Sequence, residues 1–139
     1  MLVDLYEMTM SNGLFDTGRE ETTAYFDLFF RKVPDDGGFA IMAGLEQMIE
    51  HLQNLRFSKE DIAYLRGLNR FDERFLQLLE NFKFVCDVWA VPEGTPIFPG
   101  EPIVTVRGPM IQAMLVETML LLTVNYQSLI ATKACRIAR

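Results

Sequence analysis

The sequence carries one histidine, one tryptophan and two cysteines among 139 residues, and its 13 bases are outnumbered by 19 acids. Each scarcity closes off a class of function. A net charge of −6 argues against a nucleic-acid-binding surface, which normally shows as a basic patch. It still leaves room for a local anion site built from a few bases. Cys86 and Cys135 lie far apart and form no CxxC pair. Small apolar residues in a reduced compartment are therefore the preferred reading over a disulfide or a metal site. No P-loop, Rossmann glycine pattern, zinc spacing or Ser-His-Asp order is present. There is no basic-then-apolar leader with a small-residue cleavage site. The longest charge-free stretch of the apolar tail, between Glu117 and Lys133, falls short of the ~18–20 residues a spanning helix needs. The expectation is a soluble, cytoplasmic chain with neither membrane nor nucleic acid as partner.

What is present is an ordinary globular mix, half hydrophobic and 23% charged, in a length that suits one domain. Asp4 to Phe15 reads as a short helix with Leu2, Leu5, Met8 and Thr9 on one side. Thr22 to Lys32 alternates, with Ala24, Phe26, Leu28 and Phe30 pointing one way. Pro34-Asp35-Asp36-Gly37-Gly38 is turn chemistry, and Phe39 to Ala43 follows as a strand, so the pair predicts a hairpin. Leu45, Met48, Ile49, Leu52 and Leu55 fall at helical spacing. Ser58 is placed to cap a second helix, which Gly67 ends. Asp72 is placed to cap a third, which buries Phe75, Leu76, Leu79 and Phe82. Short strands follow at Phe84 to Val91, Ile97-Phe98 and Ile103 to Val106. The fold class predicted is α+β, with a mostly antiparallel sheet and helices.

From Met110 to Arg139 the sequence has no Gly and no Pro. It reads as one long helix, apolar around most of its circumference and buried on nearly all sides. The expected organisation is a domain over residues 1–109, then a helix over 110–139 leading onward. The chain is expected to be cut off mid-structure, with the last carbonyls uncapped.

Four groups are candidates for chemistry. His51, the sole histidine, invites a catalytic role, but it lies on the polar side of its helix with no titratable partner placed by spacing. Asp35-Asp36-Gly37-Gly38 has the look of a metal or phosphoribosyl loop, and equally of a surface turn. Lys133, Arg136 and Arg139 form one stripe, either a phosphate-binding face or the solvated end of a helix. Tyr6 either packs locally or is presented to something outside the domain.

Asp4-Leu5-Tyr6-Glu7-Met8-Thr9-Met10, the block Phe26 to Glu46, the segment Ala90 to Pro99 and the closing Asn125 to Ala134 together resemble the amino-terminal domain of the nicotinate phosphoribosyltransferase family. The resemblance runs along essentially the whole chain, in order. It implies the N-terminal domain of a type II phosphoribosyltransferase, acting as a homodimer, whose irregular α/β barrel lies beyond Arg139. It implies an enzyme that joins nicotinate to 5-phosphoribosyl-1-diphosphate, giving nicotinate mononucleotide on the salvage route to NAD. ATP, with Mg2+, is hydrolysed through a phosphorylated histidine of the barrel, a position that His51 does not occupy. No catalytic residue and no bound cofactor is expected in this chain, which alone is expected to be inactive. The family's motif tyrosine, at the nicotinate site of the neighbouring subunit, maps onto Tyr6, where its ring can stack on the pyridine. Lys133 and Arg136, at the threshold of the barrel, are candidates for phosphate contact. Val3 and Cys135 depart from the family pattern, where threonine and alanine are usual. The alternatives are a quinolinate or nicotinamide phosphoribosyltransferase, or a non-catalytic binding or assembly domain.

Overall fold

The computed structural model describes residues 2–33 and 37–138, so Pro34, Asp35 and Asp36 of the expected loop and Arg139 of the expected cationic stripe lie outside the described residues. The elements run α1 (Leu5–Asp16), β1 (Thr23–Leu28), β2 (Ala40–Ile41), α2 (Leu45–Asn54), α3 (Lys59–Gly67), α4 (Glu73–Glu80), β3 (Asp87–Ala90), β4 (Pro96–Ile97), β5 (Val104–Pro109), α5 (Met110–Met114) and α6 (Glu117–Ile137). The class is α+β with antiparallel pairing throughout. β1, β5 and β3 form one sheet in that order, and β2 pairs with β4.

The local signals hold for the middle helices. Ser58 accepts from the Asp61 N–H at 3.1 Å and Asp61 answers on the Ser58 N–H at 2.9 Å, closing a capping box. Asp72 accepts from the Arg74 N–H at 2.7 Å. The α4 face of Phe75, Leu76 and Leu79 is fully buried with Phe82 beside it, each such side chain contributing about 1.5–3 kcal/mol. In β1 the alternation is as expected, with Tyr25, Asp27 and Phe29 outward. α3 ends at Gly67, although the left-handed residue after it is Asn69.

Four expectations fail. The hairpin does not form: β1 pairs with β5 in a six-residue register, Thr23 to Leu28 against Pro109 to Val104. The strand after the turn spends its backbone elsewhere. Ile41 N–H donates to the Thr132 hydroxyl at 2.8 Å, and Met42 N–H to the Thr95 carbonyl at 2.9 Å. Local turn chemistry proposed a partner, and the longer β5 register outweighed it. The tail is not one helix either, since Leu115 and Val116 separate α5 from α6. Nor is α6 buried all round. Met119, Leu120, Val124, Ser128 and Thr132 are buried, while Leu121, Leu122, Tyr126, Ile130 and Ile137 are exposed. By length and composition Met110–Ile137 is apolar enough to cross a membrane, and its buried stripe is spent on the sheet core. On α1, the inward residues are Glu7, Met8 and Ser11, and Leu5 faces out.

The apolar core has two parts. One joins the sheets to α2 and α6 through Met42, Met48, Ile103, Val106 and Val124. The other gathers Met8, Ile62, Leu65, Phe75, Leu79 and Ile111 from α1, α3, α4 and α5. Leu55 and Phe84 touch both.

Candidate functional site

α1 is set by Asp4, whose backbone is extended at the N-cap, and by Glu7 at N3, whose carboxylate accepts from the Asp4 N–H at 3.3 Å. Glu7 also leaves its own helix. Its Oε1 accepts from the Thr118 N–H at 3.0 Å and from the Thr118 hydroxyl at 2.6 Å. Val116, the N-cap of α6, has no capping side chain, so Glu7 does that work from α1, where a negative charge also suits the helix dipole. Glu7 is completely buried. Burial holds its carboxyl above the ordinary value, against the lowering effect of the Thr118 and Asp4 hydrogen bonds.

The adjacent residue, Tyr6, points the other way and is 47% exposed. Hydrogen bonding toward Glu117, with desolvation and the charges of Glu117, Glu7 and Asp4, pushes the phenol up to about 12. Glu117 also lines a cleft of about 340 Å3 between β1, β5 and α6, with Phe26, Phe29 and Leu121.

Lys133 and Arg136 are both exposed. They line a second cleft, of about 350 Å3, whose walls include Val33, Tyr126, Leu129 and Ile130. An Arg136 Nη reaches the Phe39 carbonyl at 3.5 Å, and the guanidinium lies over Gly37, where a Cβ would sit 1.6 Å from its Nη2. Two cations above an apolar floor suit an anion, and the planar guanidinium fork suits a phosphate or carboxylate. The structure does not bring this cleft to Tyr6. Sixteen residues of α6 separate Glu117 from Lys133, about 24 Å at 1.5 Å per residue.

The remaining candidates are His51 and the two cysteines. His51 is half-buried on α2, and burial lowers its pKa. Cys86 and Cys135 are free, and desolvation together with Asp87 pushes the Cys86 thiol up to about 11, leaving it a poor nucleophile. Among the described residues no group of three or more His, Cys, Asp or Glu is placed to hold a metal ion. Asp35 and Asp36 are outside the described residues.

The sequence did not point to Glu7, Glu117 and Thr118 as a unit, nor to Ser128 and Thr132. The last two, one turn apart on the buried stripe of α6, receive the Ala43 and Ile41 N–H groups at 3.1 and 2.8 Å. Small hydroxyls at that spacing within an apolar helix are the signal that could have found them.

The family model for the nicotinate phosphoribosyltransferase N-terminal domain matches residues 1–125. A nicotinate phosphoribosyltransferase of Mycobacterium tuberculosis is 44% identical over 137 residues, covering 99% of this chain and 29% of that protein. One of Bacillus subtilis is 42% identical, over 96% of this chain and 27% of its own length. The crystal structure of human nicotinic acid phosphoribosyltransferase superposes with a TM-score of 0.91 at 39% identity, over 98% of this chain and 28% of that one. The chain thus spans somewhat over a quarter of the length of the curated relatives it matches.

Proposed function

Because the chain belongs to the nicotinate phosphoribosyltransferase N-terminal domain family, we propose that it is the N-terminal part of an enzyme that joins nicotinate to 5-phosphoribosyl-1-diphosphate in NAD salvage. The observation that carries this reading is the match of nearly the whole chain, in sequence and in fold, to enzymes of that name. Fold alone would not: a nicotinate-nucleotide pyrophosphorylase from Pyrococcus furiosus shares it at a TM-score of 0.59 and 17% identity. The working enzyme is a cytoplasmic homodimer that hydrolyses ATP with Mg2+, and those groups bind outside these 139 residues. The exposed apolar stripe of α6 supports further chain packing there. The 139 residues alone do not turn over substrate.

Tyr6 offers its ring face to the nicotinate of the neighbouring subunit, and Lys133 and Arg136 contact phosphate. An outward tyrosine far from the cationic cleft of its own chain supports that division. In the complete enzyme, Tyr6→Ala raises the KM for nicotinate several-fold, the scale of one aromatic stack, and leaves that for the phosphoribosyl donor nearly unchanged. Steady-state kinetics with each substrate varied check this, and an unchanged nicotinate KM removes Tyr6 from the site. Assays with nicotinate, nicotinamide and quinolinate side by side test the substrate, and preference for either of the latter two overturns the choice.

A further inference from the structure

We infer that Glu7 is a positioning residue for substrate binding: by clamping α1 to the start of α6 it fixes the direction in which Tyr6 presents its ring. The inference rests on the reading of Tyr6 as a nicotinate contact. Four observations carry it. Glu7 is fully buried although it is charged and follows Tyr6 directly. A buried carboxylate persists only where its oxygens are satisfied, and both are: Oε1 by the Thr118 N–H and hydroxyl, Oε2 by the Asp4 N–H. The clamp therefore holds the two residues that flank the ring on its own helix and the residue after Glu117. Glu117 is in turn the group that acts most strongly on the Tyr6 phenol.

The ring is thus anchored through its backbone: its Cα sits on a first turn that Glu7 ties to α6 at Thr118, the residue after Glu117. The first turn of a helix frays unless tied down, and a frayed first turn would let the ring sample several directions. A ligand stacking on it would then bind only the fraction of molecules with the ring in place, and its apparent affinity would fall by that fraction. Holding the ring in advance avoids this loss. The effect falls on the substrate that meets the ring and spares the one that does not.

The test uses the complete enzyme carrying this chain, with KM for nicotinate and for the phosphoribosyl donor measured for Glu7→Ala, Glu7→Gln, Thr118→Val, Tyr6→Ala and the Glu7→Ala/Tyr6→Ala double variant. Glu7→Ala raises the nicotinate KM about 3- to 10-fold, the range of a lost aromatic contact, with the donor KM within about twofold. Glu7→Gln, which keeps an acceptor for Thr118, recovers most of the loss. Thr118→Val, which removes only the hydroxyl, gives a smaller rise in the same KM and keeps the test open should Glu7→Ala fail to fold. In the double variant Glu7→Ala adds nothing to Tyr6→Ala, because residues acting through one contact are not additive. Equal rises in both KM values, or full additivity in the double variant, overturn the inference. If Tyr6→Ala raises the nicotinate KM and neither Glu7→Ala nor Thr118→Val does, the inference alone fails. If Tyr6→Ala leaves it unchanged, the reading of Tyr6 fails and the inference falls with it.

Discussion

Glu7 keeps a carboxylate where water cannot reach it, and its titration follows from that. Burial holds the carboxyl above its ordinary value of 4.5, so the folded chain binds this proton more tightly than the unfolded chain does. The contribution of the group to stability is greatest below the unfolded value and is lost as pH rises through the raised one. Glu7→Gln removes the titration. The melting temperature of the unaltered chain minus that of Glu7→Gln therefore falls as the pH is raised from about 4 to about 7, and a difference that grows over that window contradicts the assignment. Ser11, one turn along α1, is equally buried, but its hydroxyl has no partner. An unmade hydrogen bond at such a place costs ~1–3 kcal/mol, and alanine is the better helix former. Ser11→Ala is expected to stabilise the chain by about 1 kcal/mol in urea unfolding. A loss of that size would show that the hydroxyl is satisfied.

Two helices begin without a capping side chain of their own and borrow a glutamate from elsewhere. α6 takes Glu7; α2 takes Glu93, whose Oε1 accepts from the Gly44 and Leu45 N–H groups at 2.6 and 2.7 Å. Gly44 is needed there for two reasons: its φ is +102°, and a Cβ would lie 3.1 Å from the Thr123 carbonyl oxygen. Glycine supplies no cap of its own, and Glu93 fills the role across 49 residues. Glu93→Ala is expected to destabilise the fold by about 1 kcal/mol, the usual cost of a lost cap, measured by urea titration; no change would mean that water replaces it. These borrowed caps mark the limit of what the residue order reveals. Ser58 and Asp72 were legible because both halves of each cap lie within three residues. The β1 alternation was legible because the period belongs to the strand itself. The β1–β5 register, the acid buried on α1 and the break at Leu115-Val116 depend on partners about 80 to 110 residues away, and no local pattern encodes them. Tyr6 was legible as a candidate site residue through family resemblance, whereas the Glu7, Glu117 and Thr118 frame around it became visible only in three dimensions.

Over the whole molecule, α6 sets the spacing of the candidate sites. Tyr6 stands at its start, with Glu117; Lys133 and Arg136 stand about 24 Å along it beside Tyr126. One small ligand cannot touch both ends of this helix. If both groups serve the same reaction, they meet across a two-fold axis, one from each subunit, as an isologous dimer allows. Mixing two defective full-length enzymes tests this directly, one carrying Tyr6→Ala and the other Lys133→Ala/Arg136→Ala, exchanged as subunits and assayed at low nicotinate. A shared site across the axis leaves one intact site in every heterodimer. Random exchange of equal amounts then restores about a quarter of wild-type activity. Activity that stays at the mean of the two parents would place Tyr6 and the cationic cleft in separate sites and contradict the division of labour proposed for them.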